Sequence, residues 1–173
     1  MDVTKYLDLR NEFETGDLLA LAGQSLLSKR IMRHSGRFSH VAVIIRRRPY
    51  KVDRLLIIHS IYPVGVVEVP ISRYLSKYKG KAWWVPMDHD KVRKKNLDYQ
   101  YIIEDMAMQE LGLDYDTKGV LSFLFPWINQ NEDAYYCSEF ASSLMKRLGY
   151  SSGTQLTPEQ STQIEIFNEP VRL

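Results

Sequence analysis

Apolar positions along this chain come in short blocks set apart by turn-forming residues. "LLALA" lies between Gly16 and Gly23 as a compact apolar run, the pattern of a buried strand, and Ser25 to Met32 then follows a helical spacing that stops at Ser35–Gly36. "SHVAVIIRR" is almost wholly apolar and β-branched from Val41 to Ile45, which predicts a central strand covered on both faces. "RLLIIHSI" repeats the pattern after the turn near Pro49, and "VGVVEVP" follows across Pro63–Gly65, so three strands in a row predict an antiparallel meander. "SRYLSKY" is expected to be a short helix capped by Ser72, and "KAWWVPM" a further strand. The spacing predicts one long helix from about Val92 to Leu111, closed by Gly112. Cys137, Phe140, Ala141, Leu144 and Leu148 fall on one face of a last helix. Residues 151–173 are polar and broken by Gly and Pro, and are expected to form a peripheral tail over the body. Strands first and helices afterwards give an α+β class, an antiparallel sheet or half-barrel packed against helices, over a single domain spanning 1–173.

Composition narrows the functions open to such a domain. The chain has 173 residues, 45% of them hydrophobic, enough for one core and not for two independent ones. Its 23 basic and 21 acidic residues leave a net charge of +2, and its basic runs, Arg46 to Arg48 and Lys91 to Lys95, are short and not interleaved with aromatics. No nucleic-acid partner is expected. A lone cysteine makes neither an internal disulfide nor a Cys-rich zinc site, and the four histidines have no recognised ligand spacing, so neither metal nor cofactor is expected. The start lacks a secretory pattern and no run is long enough to span a bilayer, which leads to an expected cytoplasmic location without an integral membrane segment.

The candidate chemistry centres on Cys137. At the first turn of a helix a thiol meets unpaired backbone N–H groups and the positive end of the dipole, and both favour thiolate. A free cysteine is also one of the commonest core fillers, so the helix alone leaves both readings open. Among the histidines, His34 at a helix end and His89 among the charges of "MDHDK" are expected to be solvated. His40 opens an apolar strand and shares a face with Ala42 and Ile44, and His59 shares one with Leu55 and Ile57 on the next strand. Buried polar rings need partners. Neighbouring antiparallel strands can set the two rings side by side, leaving the far side of His40 for a thiol.

Four stretches, "TGDLLAL", "FSHVAVII", "LLIIHSIYPVGVVEVPISRYL" and, after "LGLDYD", "YYCSEFASSLMKRLG", resemble in their order the NlpC-type cysteine hydrolases. The order matches the circularly permuted papain-like branch that includes the lecithin:retinol acyltransferase-like enzymes. The resemblance covers Thr15 to Gly149 and implies a permuted papain-like fold. In that reading Cys137 is the nucleophile, His40 the general base and His59 the third, orienting residue. Many permuted relatives carry glutamate at the third place, so His59 is a departure in type, although histidine serves there in the unpermuted enzymes. Tyr115 matches a recurrent tyrosine near the cleft, the backbone N–H of Cys137 is the natural first oxyanion donor, and Tyr135, Tyr136 or Asp17 are candidates for shaping the pocket.

The implied activity is a thiol amidase or peptidase acting on small peptides, cell-wall-like peptides included, through an acyl-enzyme on Cys137. Two alternatives share the same residues. Acyl transfer or phospholipid deacylation is the chemistry of the acyltransferase-like relatives, and a non-catalytic papain-like binding module needs no turnover at all.

Overall fold

The computed structural model of the chain describes residues 3–114, 137–150 and 156–173. Six strands, β1 (Leu18–Ala22), β2 (His40–Arg47), β3 (Arg54–Ile61), β4 (Gly65–Pro70), β5 (Lys81–Val85) and β6 (Val171–Arg172), form one sheet in the order β4-β3-β2-β1-β5-β6, antiparallel throughout. The helices are α1 (Val3–Leu9), α2 (Leu26–Ser35), α3 (Ile71–Lys77), α4 (His89–Lys95), α5 (Tyr99–Glu110), α6 (Cys137–Arg147) and α7 (Pro158–Thr162). The expected meander is β2-β3-β4, and β2 lies inside the sheet between β1 and β3.

Because side chains alternate across a sheet, each face builds its own core. On one face Leu18, Ala20, Val41, Val43, Ile45 and Ile58 are buried with Val92, Ile103 and Met106 of α4 and α5, with Phe140, Ala141 and Leu144 of α6 and with Leu148 just after it. On the other, Leu19, Leu21, Ala42, Ile44 and Ile57 pack with Tyr6 of α1 and with Ile71 and Leu75 of α3. Both sides of β2 are thus covered, which is why its sequence shows no polar alternation. Among the described residues no helix is long and apolar enough to cross a membrane.

Three expectations change in detail. The long helix is two helices: Asn96 turns extended (φ −138°, ψ 99°), and its side chain donates to the Leu148 carbonyl at 3.0 Å. Val92, Tyr99 and Ile103 keep helical spacing across the break, so hydrophobic periodicity has no means of showing it. The short helix starts at Ile71 without a side-chain cap, with Pro70, the last residue of β4, at its N-cap and Ser72 already inside the first turn. Finally, the end of the chain goes deeper than a covering tail: Ile166 and Leu173 are buried, and Val171–Arg172 adds a sixth strand to the sheet. α7 within it carries a full capping box between Thr157 and Gln160.

Candidate active site

One end of the sheet carries a concave wall. The end of β1, the first turn of α2, the start of β2, the end of β3 and the end of α3 enclose a cleft of about 460 Å³ lined by His40, Ser39, Ser60, Leu27, Ile31, Tyr62, Tyr74, Tyr78 and Lys79. Local sequence explains its shape. Ser25 caps α2 by accepting from the Ser28 N–H, so the chain leaving β1 turns at once into a helix beside the sheet end. Tyr74 and Tyr78, four residues apart near the end of α3, stack at 5.5 Å and 21° and form the aromatic side. Burial pushes the Tyr78 phenol up to about 12, so it remains an uncharged hydroxyl.

His40 and His59 meet at this wall. Nε2 of His40 lies 2.8 Å from Nδ1 of His59, with the rings 74° apart. His40 is half-buried with an edge on the cleft, whereas His59 is fully buried. Burial, and then the neighbouring His59 ring, hold the His40 pKa well below the usual imidazole value, and burial takes His59 down to about 4. Both rings are therefore neutral near pH 7. Nε2 of His59 has no hydrogen-bond partner among the described residues, and the ring of Tyr74 stands 5.0 Å away at 85° to the His59 ring.

α6 is described from Cys137 to Arg147 and buries Phe140, Ala141 and Leu144, with Leu148 buried just after it. The Cys137 side chain, Tyr115, Tyr135 and Tyr136 lie outside what the structure describes. α6 packs against Val41, Val43 and Ile45, while His40 and His59 alternate onto the face of Ala42, Ile44 and Ile57. His40 is the first residue of β2, at its end.

The structure does not bring Asp17 to this cleft. Leu21 pairs with His40, and Asp17 sits four residues back along the chain, roughly 13 Å at strand rise. Its buried carboxylate takes four donors: the backbone N–H groups of Glu14 and Met87, Trp84 Nε1 and His89 Nε2, at 2.8–3.0 Å. Nδ1 of His89 lies 3.0 Å from the Tyr99 hydroxyl. His89, expected to be solvated, is thus a clamp between β1, β5 and the helices after it, whereas His34 is exposed as expected. No local pattern could have revealed this, because its carboxylate partner is 72 residues away. Tyr74, Tyr78 and Lys79 were not singled out by sequence either; the one available signal was their place after the strand that follows His59.

The family model described as permuted papain-like amidase enzyme, YaeF/YiiX, C92 family, matches residues 12–165. Among solved structures, the crystal structure of the metalloprotein YiiX from Escherichia coli O157:H7 is similar with a TM-score of 0.66 and 17% identity, covering 91% of this chain and 96% of that one. At that identity the likeness speaks for the fold. No curated protein matches. Among the described residues no group of three or more His, Cys, Asp or Glu side chains is arranged to hold a metal ion.

Proposed function

The chain belongs to the permuted papain-like amidase family, and we propose that it acts as a cysteine-dependent amidase on peptides, with Cys137 as nucleophile, His40 as general base and His59 as the residue that orients His40. The observation that carries this reading is the 2.8 Å contact between His40 Nε2 and His59 Nδ1 on the wall of the cleft. With Nε2 engaged by His59, the nitrogen of His40 left for a nucleophile is Nδ1.

Chemistry selects the tautomers. For His40 Nδ1 to accept a proton, its resting proton must be on Nε2 and donated to His59 Nδ1; His59 then carries its own proton on Nε2. The Tyr74 ring stands perpendicular to the His59 ring at 5.0 Å. Because His59 stays neutral down to about pH 4, it remains an acceptor for His40 throughout the working range.

The reaction balances as follows. The Cys137 thiol gives its proton to His40 Nδ1 as sulfur attacks the amide carbonyl carbon, forming a tetrahedral intermediate whose oxyanion faces the backbone N–H at the start of α6. Imidazolium returns the proton to the departing amine, the C–N bond breaks and a thioester remains. Water, deprotonated by His40, attacks the thioester, and release of the carboxylic acid restores the thiol. A neutral histidine in the third place stabilises imidazolium less than a carboxylate, so proton transfer accompanies attack instead of preceding it as a resting ion pair.

The test is alkylation of the single cysteine by iodoacetamide, followed by mass spectrometry, together with incubation with mixed peptides, muropeptides and acylated lipids. Wild type is expected to release amines from peptide amides, and Cys137→Ala to release none. Products from lipids alone would overturn the amide assignment, and equal alkylation rates in wild type and His40→Ala would overturn the role of His40.

A further inference from the structure

We propose that the cleft selects anionic peptides, those carrying side-chain or terminal carboxylates, and that Lys79 is the residue that reads the charge. The inference rests on the amidase reading for the reaction and adds the chemical class of its substrate.

The chain as a whole is nearly neutral, so a region of one sign does not follow from composition. No acidic residue occurs between Asp17 and Asp53, between Asp53 and Glu68, or between Glu68 and Asp88, and every described residue lining the cleft comes from these acid-free stretches. The lining carries one full cation, Lys79, on an exposed stem after α3. Exposed Lys77 at the end of α3 lies two residues before it, whereas Lys29 and Arg33 are on the side of α2 away from the cleft-lining residues Leu27, Ser28 and Ile31.

Several cations elsewhere in the fold are paired. Arg46 and Arg10 engage Asp53, Arg47 engages Glu68, and Lys91 engages Glu165. No described carboxylate lies within ion-pair distance of Lys79, Lys29, Arg33 or Lys77. Unpaired charge of one sign on a concave wall raises the local concentration of counter-charged solutes, and a lysine ammonium with three donors adapts to a carboxylate wherever it arrives. Tyr74, Tyr78 and Leu27, which line the same cleft, offer apolar area for a neighbouring side chain. The ligand that fits both is a peptide with a carboxylate next to an aromatic or aliphatic residue.

The experiment immobilises full-length Cys137→Ala protein, so that binding is read without turnover. It then measures retention of two matched tyrosine-centred peptide libraries, one carrying glutamates and the other glutamines at the same places. The glutamate library is expected to bind about three- to tenfold more tightly at low salt, with the difference shrinking as salt rises. Lys79→Glu is expected to abolish or invert that preference, and Lys94→Glu, on the outer side of α4, to keep it. Equal retention, no retention of either library, or a glutamate preference that survives Lys79→Glu would overturn the proposal. So would binding of anionic phospholipid vesicles with none of peptides. Failure of the wild-type protein to hydrolyse any amide counts against the amidase reading alone, because the retention measurements do not depend on turnover.

Discussion

Nε2 of His40 and Nδ1 of His59 share one hydrogen bond, 2.8 Å long, with no carboxylate in contact with either ring among the described residues. In the proposed mechanism, a histidine so held is a base with a fixed orientation but without a stabilised cation. Its nucleophile should therefore be more basic than in a thiolate–imidazolium pair.

Changing His59→Glu tests that. A carboxylate beside His40 Nε2 holds imidazolium, which raises the His40 pKa and draws the proton from Cys137. Alkylation of Cys137 at pH 6 should rise about tenfold for each unit by which His40 is raised. His40→Ala should slow alkylation at pH 7 by a comparable factor. An unchanged pH profile in His59→Glu would mean that residue 59 does not communicate with the thiol.

Acid should loosen the fold through His59. Its pKa falls from the ordinary 6.5 to about 4 on folding because it is buried, so below pH 6.5 the unfolded chain binds a proton that the folded chain refuses. Stability is therefore complete above pH 6.5 and declines as pH drops toward 4, by about 3 kcal/mol in all. Urea unfolding of wild type and His59→Asn at pH 7 and pH 4.5 checks it: the loss on acidification should be smaller in the variant.

Asp17→Asn should be costly although it keeps the side-chain shape. One amide oxygen cannot serve Glu14 N, Met87 N, Trp84 Nε1 and His89 Nε2 as the carboxylate does, and the amide N–H₂ would face donors. A loss of about 3 kcal/mol is expected in urea unfolding. If the site instead tolerates the change, the four bonds are not stabilising the strand junction.

Gly65→Ala should also destabilise, by about 2–4 kcal/mol. Its φ is +90°, and an added Cβ would run into the Leu113 carbonyl oxygen, which itself accepts from Val66 N at 2.8 Å. Thermal unfolding of the variant at pH 7 measures the effect, and an unaltered midpoint would show that the chain after α5 is not fastened to β4.

Much of this was legible beforehand because it depends on near neighbours in the chain. The continuous apolar run after His40 announced a strand buried on both faces, and the spacing of Phe140, Ala141, Leu144 and Leu148 announced the buried side of α6 and of the residue just after it. The pairing of His40 with His59 followed from their places on adjoining strands, and the 2.8 Å contact bears it out. The break at Asn96 was hidden because the spacing of Val92, Tyr99 and Ile103 runs through it unchanged, and a contact with Leu148 decides it.

Local periodicity, turn chemistry and the order of motifs were sufficient for β1 to β5, the meander, the family resemblance and the pairing of His40 with His59, since the elements they build are recorded in residues a few positions apart. Which partners the other polar side chains take is a matter of long-range packing. Asp17 binds His89 and Trp84 from the far part of the chain instead of entering the cleft, and His40 faces away from the sheet side that α6 covers. Lys79 joins His40 on one wall only because the antiparallel sheet brings the end of β3 and the helix after β4 to the same end as the start of β2.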